Sequence, residues 1–165
     1  MLSKMTVQEM LRATAGDVYP PLYYFFTMAA YRVFGATGWA YRLVSIIPYV
    51  IGLVLVLTVI RRRFGKGTTI LMVTFMSVMS QAVTYNVEVR MYSWAALFVL
   101  LSYYALYMII LDGKVPSYVL FVLASLGAAY THYYAMVSVA FFYLALFVMA
   151  VKKKSKRKIA RLYLS

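Results

Sequence analysis

The chain has 165 residues, is 65% hydrophobic and carries a formal net charge of +13. Only 13% of its residues are charged, against about a quarter in soluble domains, so a soluble globular domain is excluded. Cys is absent and His occurs once, which removes disulfides, thiolate catalysis, Cys-ligated metals and a His-rich metal cage.

The first predicted element is a short amphipathic helix. Thr6-Val7-Gln8-Glu9 fits a capping box, with Thr6 as N-cap and Glu9 reaching back to it. Val7, Met10, Leu11 and Thr14 then share one face, and Gly16 stops the helix. Pro20-Pro21 opens the next apolar piece, which runs to Phe34-Gly35. Its length of about 15 residues is below the usual spanning range of roughly 17–25. The residues alone leave two readings open for it, an interfacial helix or a short span.

Four longer apolar stretches follow, at 40–60, 67–85, 91–111 and 117–151. The first ends at Arg61-Arg62-Arg63 and Lys66, and Pro48 inside it predicts a packing kink. The third ends at the turn-like break Asp112-Gly113-Lys114-Val115-Pro116. As one helix the fourth would reach about 52 Å at 1.5 Å per residue, while the hydrocarbon core is about 30 Å thick. A hairpin of two helices is therefore expected there, turning at its strongest polar point, Thr131-His132. The fold class is all-α: a polytopic membrane helical bundle of about five transmembrane helices, preceded by N-terminal juxtamembrane amphipathic helices. The expected division is 1–39 for the juxtamembrane helices, 40–151 for the five-span bundle and 152–165 for a polybasic tail.

Charge orients the bundle. With residues 61–66 in the cytoplasm, Lys114 and the cluster at 152–158 also fall inside, as basic residues of membrane proteins do. The tail is then cytoplasmic and touches anionic lipid, and nucleic acid is not needed to explain the charge. The opposite, non-cytoplasmic face collects Arg42, Glu88, Arg90 and His132, with Asp17 if the Pro-Pro helix lies flat. Many of the 17 tyrosines gather there too, among them Tyr19, Tyr23, Tyr24, Tyr92, Tyr130, Tyr133 and Tyr134. Each has a plain alternative: a snorkelling arginine, a loop charge, an interfacial histidine, an aromatic belt. Ionisable groups at span edges are nevertheless candidates for function, and a guanidinium holds phosphate oxygens in a two-pronged grip. No Walker sequence, G-x-G-x-x-G or H-E-x-x-H is present, which leaves ATP-driven transport, dinucleotide chemistry and zinc proteolysis without local support.

At these residues the sequence resembles a known family. Asp17-Val18-Tyr19-Pro20-Pro21-Leu22-Tyr23-Tyr24 is similar to the D-x-H-P-P-L-Y-Y motif of family 39-type glycosyltransferases, with Tyr19 standing where the motif has its usual His. These enzymes include the protein O-mannosyltransferases and their bacterial and archaeal relatives, all of the GT-C fold. Phe34-Gly35 followed by Tyr41-Arg42-Leu43-Val44-Ser45 resembles the family's F-G … R-L-x-S step. Arg61-Arg62-Arg63-Phe64-Gly65 resembles its basic cytoplasmic turn. Glu88-Val89-Arg90-Met91-Tyr92-Ser93 and Tyr130-Thr131-His132-Tyr133-Tyr134-Ala135 resemble its E-A-R-M-Y-S/A and Y-T-H-Y-Y motifs.

The resemblance implies transfer of a sugar from a polyprenyl-phosphate carrier to a protein, glycan or lipid acceptor on the non-cytoplasmic face of a cell membrane. It makes the Pro-Pro helix juxtamembrane and Asp17 the catalytic candidate. From their charge, Arg42 and Arg90 are the groups expected to stabilise the carrier phosphate. Glu88 is expected to orient Arg90, and His132 and Tyr133 to sit at the cavity rim. The family's first membrane helix and acidic loop motif have no counterpart in residues 1–16, so a fragment of a longer enzyme is expected, inactive by itself for want of that acid. No cofactor is assigned, and a divalent cation is left to the complete enzyme. Two other classes stay open: a non-catalytic membrane subunit or lipid-binding partner on the same scaffold, and, more weakly, a small transporter.

Overall fold

The computed structural model describes residues 5–15, 20–78 and 90–163, with side chains given as far as Lys152. Every regular element among them is helical: α1 (Val7–Ala15), α2 (Leu22–Phe34), α3 (Gly38–Leu55), α4 (Arg61–Val78), α5 (Tyr92–Leu111), α6 (Val115–Ala129) and α7 (Tyr133–Tyr163). A π-helical turn, Val56–Ile60, joins α3 to α4.

The predicted capping box is formed. The Thr6 backbone N–H and hydroxyl both donate to Glu9 Oε2 at 2.8 Å, and the Glu9 N–H donates to Thr6 Oγ1 at 3.3 Å. These bonds hold the exposed Glu9 carboxyl below the usual carboxylate range. Met10 and Thr14 supply the buried face of α1. Gly16, expected to end this helix, lies outside the described residues.

α2 has 13 residues and is therefore only about 20 Å long, too short to cross a hydrocarbon core of about 30 Å. It packs instead against one end of the bundle. Tyr23 clusters with Val44 of α3 and with Met91, and Phe26 stacks on Trp94 of α5 with ring centroids 4.0 Å apart. The first N–H of α2, on Leu22, donates to the Tyr130 carbonyl at 3.0 Å. A donor that a helix start leaves orphaned is thus satisfied by a distant turn.

The apolar run Gly38–Val78 is 41 residues long, yet it does not form one straight rod. Helical dihedrals break at Gly65 (φ 83°, ψ 176°), a conformation that glycine adopts without a Cβ penalty. The chain doubles back there, so that the Tyr49 hydroxyl donates to the Met76 carbonyl at 3.3 Å. The basic turn expected at 61–66 is thus narrowed to one glycine, with Arg61, Arg62 and Arg63 still helical. Pro48, fully buried within α3, lines a cavity against α4 and α5.

α5, α6 and α7 pack closely through small residues. Ala95, Ala128, Ala135 and Val139 form one cluster; Ala105, Leu106, Ile109 and Phe121 form a second. Lipid supplies no hydrophobic drive between helices, so close approach of backbones does much of the holding. Two buried hydroxyls on these helices are satisfied within their own helices, Ser102 to the Phe98 carbonyl and Ser125 to the Phe121 carbonyl. Gly113 (φ 59°) makes the predicted turn between α5 and α6, and Asp112 Oδ1 accepts from the Lys114 N–H at 3.2 Å. The predicted hairpin turn is also present: α6 ends at Ala129 and α7 starts at Tyr133, with Thr131-His132 between them. α7 then runs unbroken to Tyr163, through the boundary expected at 151/152, so the polybasic segment extends a helix as far as Tyr163. Lysine and arginine are good helix formers, which lets a spanning helix continue into the basic region.

Among the described residues, three helical segments long and apolar enough to cross a membrane, with the shorter apolar Val115–Ala129, make this an integral membrane helical bundle.

Candidate functional site

Three segments meet at the end of the bundle covered by α2: the first turns of α3, the entry to α5 at residues 90–94, and the 130–134 turn. Ser45 is the hinge pin of the first two. It is fully buried, and its hydroxyl donates to the Arg90 carbonyl at 3.0 Å while accepting the Arg90 N–H at 3.3 Å. The buried Tyr23 hydroxyl lies 3.4 Å from the same Oγ. The Trp94 indole N–H closes the corner on the Val44 carbonyl at 2.8 Å. The Arg90 backbone is therefore fixed on both its donor and its acceptor, while its side chain is exposed.

Arg42 is exposed on α3, one helical turn before Ser45, so both arginines leave the backbone at this α3–α5 corner. Burial pushes the Tyr23 phenol up from its ordinary value, against smaller pulls from the Ser45 hydrogen bond and the Arg90 guanidinium. Tyr23 thus keeps its proton at neutral pH and acts as a hydroxyl.

His132 adjoins this corner through Tyr92, whose ring centroid lies 5.3 Å from the imidazole. The imidazole also stacks on Tyr134, with ring centroids 5.4 Å apart. The Tyr134 N–H donates to His132 Nδ1 at 3.2 Å, which leaves the proton of the neutral ring on Nε2. The ring is buried, and burial lowers its pKa below the ordinary value. At neutral pH His132 is therefore the uncharged tautomer with its proton on Nε2. Tyr133, expected at the rim, opens α7 and is about half exposed; the ring on His132 belongs to Tyr134. Asp17 and Glu88 lie outside the described residues. Among the described residues no three His, Asp or Glu side chains converge in a way that could hold a metal.

Below the corner lies a cavity of about 290 Å³. Tyr92 and Ser93 stand at one end of its α5 wall and Leu100 at the other; Pro48, Tyr49 and Gly52 of α3 and Met72 and Met76 of α4 face them. A trough of largely apolar lining thus adjoins the Arg90 corner and runs along the spans.

The model of the dolichyl-phosphate-mannose-protein mannosyltransferase family matches residues 18–165. The chain belongs to this family. Comparison with curated proteins and with solved structures gave no match. Membership makes the protein a membrane glycosyltransferase of the mannosyltransferase type, whose family implies a polyprenyl-phosphate sugar donor and an acceptor. The matched stretch of this mannosyltransferase-family chain takes in Arg42, Glu88, Arg90, His132 and Tyr133 and begins one residue after Asp17.

Ser45 and Trp94 are the site residues to which sequence reasoning gave no role, while Tyr92 and Tyr134 entered it only among the tyrosines of the outer face and in the motifs. A serine between apolar neighbours in a spanning segment was the available signal for Ser45, because a buried hydroxyl needs a partner. The stacking partner of His132 had no such signal.

The depressed histidine pKa has a testable consequence. As pH falls through about 6.5, the ordinary histidine value, the unfolded chain takes up a proton that the folded chain resists. The wild type is thus expected to lose thermal stability between pH 7 and pH 5 relative to His132→Gln, as melting curves in detergent would show. Parallel curves for the two proteins would refute the buried neutral histidine.

Proposed function

We propose that this chain forms the donor-binding end of a glycosyltransferase that moves a mannose-type sugar from polyprenyl phosphate to an acceptor hydroxyl on the non-cytoplasmic face. The observation that carries the reading is the adjacency of the Arg90 corner and the apolar trough. A polyprenyl-phosphate sugar has the same two parts, an anionic head and a hydrocarbon tail.

In this reading the acceptor oxygen attacks the sugar C1 as the bond from C1 to the phosphate oxygen breaks. The acceptor proton passes to a carboxylate, for which Asp17 is this chain's candidate. The electron pair of the broken bond stays on the carrier phosphate, where Arg90 and Arg42 offset the growing charge. The uncharged Nε2–H of His132 and the phenols of Tyr133 and Tyr134 suit sugar hydroxyls and ring faces. Glu88 is assigned to orienting Arg90.

The orientation rests on charge. Arg61, Arg62, Arg63, Lys66, Lys114 and the cluster at 152–158 belong to the opposite end of the bundle from Arg90, which supports a cytoplasmic position for that end. The same reading keeps residues 1–39 as a juxtamembrane unit, 40–151 as the spanning bundle and 152–165 as a cytoplasmic extension.

The test is direct. Membranes containing a full-length enzyme that carries this chain, given polyprenyl-phosphate mannose with a labelled sugar, are expected to transfer label to an endogenous acceptor from the non-cytoplasmic side only. Donor binding without transfer, together with co-purification of a second membrane protein, would favour the non-catalytic subunit instead.

A further inference from the structure

The other end of the bundle holds a second concave site, independent of the transferase reading. A cavity of about 420 Å³ is lined by Leu57, Thr58, Arg61, Arg62, Gly65 and Lys66. Local structure explains why three cations share it. Positions 57, 58, 61 and 62 recur at helical spacing and so fall on one face. Gly65 then reverses the chain at φ 83° and returns Lys66 to the same hollow. Among the described residues no carboxylate lines the hollow. The Thr58 hydroxyl donates its proton to the Val54 carbonyl at 2.6 Å, so charged donors dominate the polar part of the lining. Three like charges around one cavity repel each other, and an anion between them removes that cost.

The wall continues into apolar surface. Leu57, Val54 and Val50 follow one another along the same stripe of the helix, and they are 43%, 52% and 47% exposed. A ligand matching the whole surface has a compact anionic head for the cations and an alkyl chain for the stripe. Guanidinium forks suit phosphate oxygens in pairs, and the Lys66 ammonium adds a point charge. Basic pockets between spanning helices suit acidic lipid head groups for this reason.

We propose that this hollow binds the phosphate-bearing head group of an anionic phospholipid, with an acyl chain laid along Leu57, Val54 and Val50. A free phosphate ion would use the three cations and ignore the stripe.

The test uses the full chain, delipidated in detergent micelles and offered dioleoyl phosphatidylglycerol or dioleoyl phosphatidylcholine. Native mass spectrometry counts the retained lipid. The wild type is expected to retain the anionic lipid at least about fivefold better, with a loss on the order of fivefold for each charge removed. Arg61→Gln/Arg62→Gln/Lys66→Gln is expected to abolish the preference. Should that triple variant lose its helical circular dichroism, the single variants Arg62→Gln and Lys66→Gln decide by their partial losses. Neutralising the lysines at 152–154 is expected to leave the preference in place. Unchanged preference in folded variants, loss of it in the tail variant, or displacement of the lipid by millimolar inorganic phosphate would each overturn the proposal.

Discussion

Replacing Arg90 by alanine is expected to lower sugar transfer by about 10²–10³-fold, the usual cost of removing one preorganised group that stabilises developing charge. The effect should be large because the arginine is held before substrate arrives. Ser45 grips both its backbone N–H and its carbonyl, so the point from which the guanidinium reaches out is fixed. Arg90→Lys is expected to fall between the two, keeping the charge and losing the fork. Ser45→Ala tests the positioning directly. It is expected to slow transfer by roughly tenfold in the wild type and to add nothing in the Arg90→Ala background, the non-additivity of a shared function. Labelled sugar transferred per minute is the measurement in every case. Full activity in Arg90→Ala would remove this arginine from the reaction, and additive losses would make Ser45 merely structural.

Gly127→Ala is expected to destabilise the bundle by about 1–3 kcal/mol, the range for overpacking a tight contact. A Cβ at Gly127 would stand 2.6 Å from two ring atoms of Phe98 and 2.8 Å from its Cγ. No carbon approaches that closely without movement, and Cγ is too near the backbone for a simple swing of the ring to relieve it. Phe98 is also packed against the Ala95–Ala128 cluster and lies 5.7 Å from Trp94, centroid to centroid. Pushing α5 from α6 would therefore reach the corner that holds Arg90. Phe98→Leu in the Gly127→Ala background should recover part of the loss. Melting temperatures in detergent report the result; an unchanged value for Gly127→Ala would mean that the helices do not approach as closely as they do here.

The spans were legible because apolar runs of set length, broken by charges and glycines, have only one cheap solvent. The hairpin turn at Thr131-His132 and the reversal near Gly113 followed from the same logic, since polar points and turn residues interrupt apolar runs. The capping box was legible because both its partners lie within four residues of each other. Less could be read of α7, which keeps its helix beyond the hydrophobic boundary at 151. Hydropathy marks where a membrane environment ends, and says little about where hydrogen bonding along the backbone ends.

Of the site residues, Arg42, Arg90, His132 and Tyr133 could be named from the sequence because charged and aromatic groups stand out at span edges. Their arrangement could not. Ser45 meets Arg90 across 45 residues and Trp94 meets Val44 across 50. Tyr134 rather than Tyr133 lies on His132 because the first turn of α7 sends adjacent side chains about 100° apart, a direction fixed only once the helix start is fixed. By itself the sequence determined a basic, apolar, all-α membrane chain, because composition and periodicity choose the solvent and the element. Only the tertiary structure decided which side chains share a corner, because that depends on how α2, α3 and α5 pack, and packing brings together residues that no local pattern links.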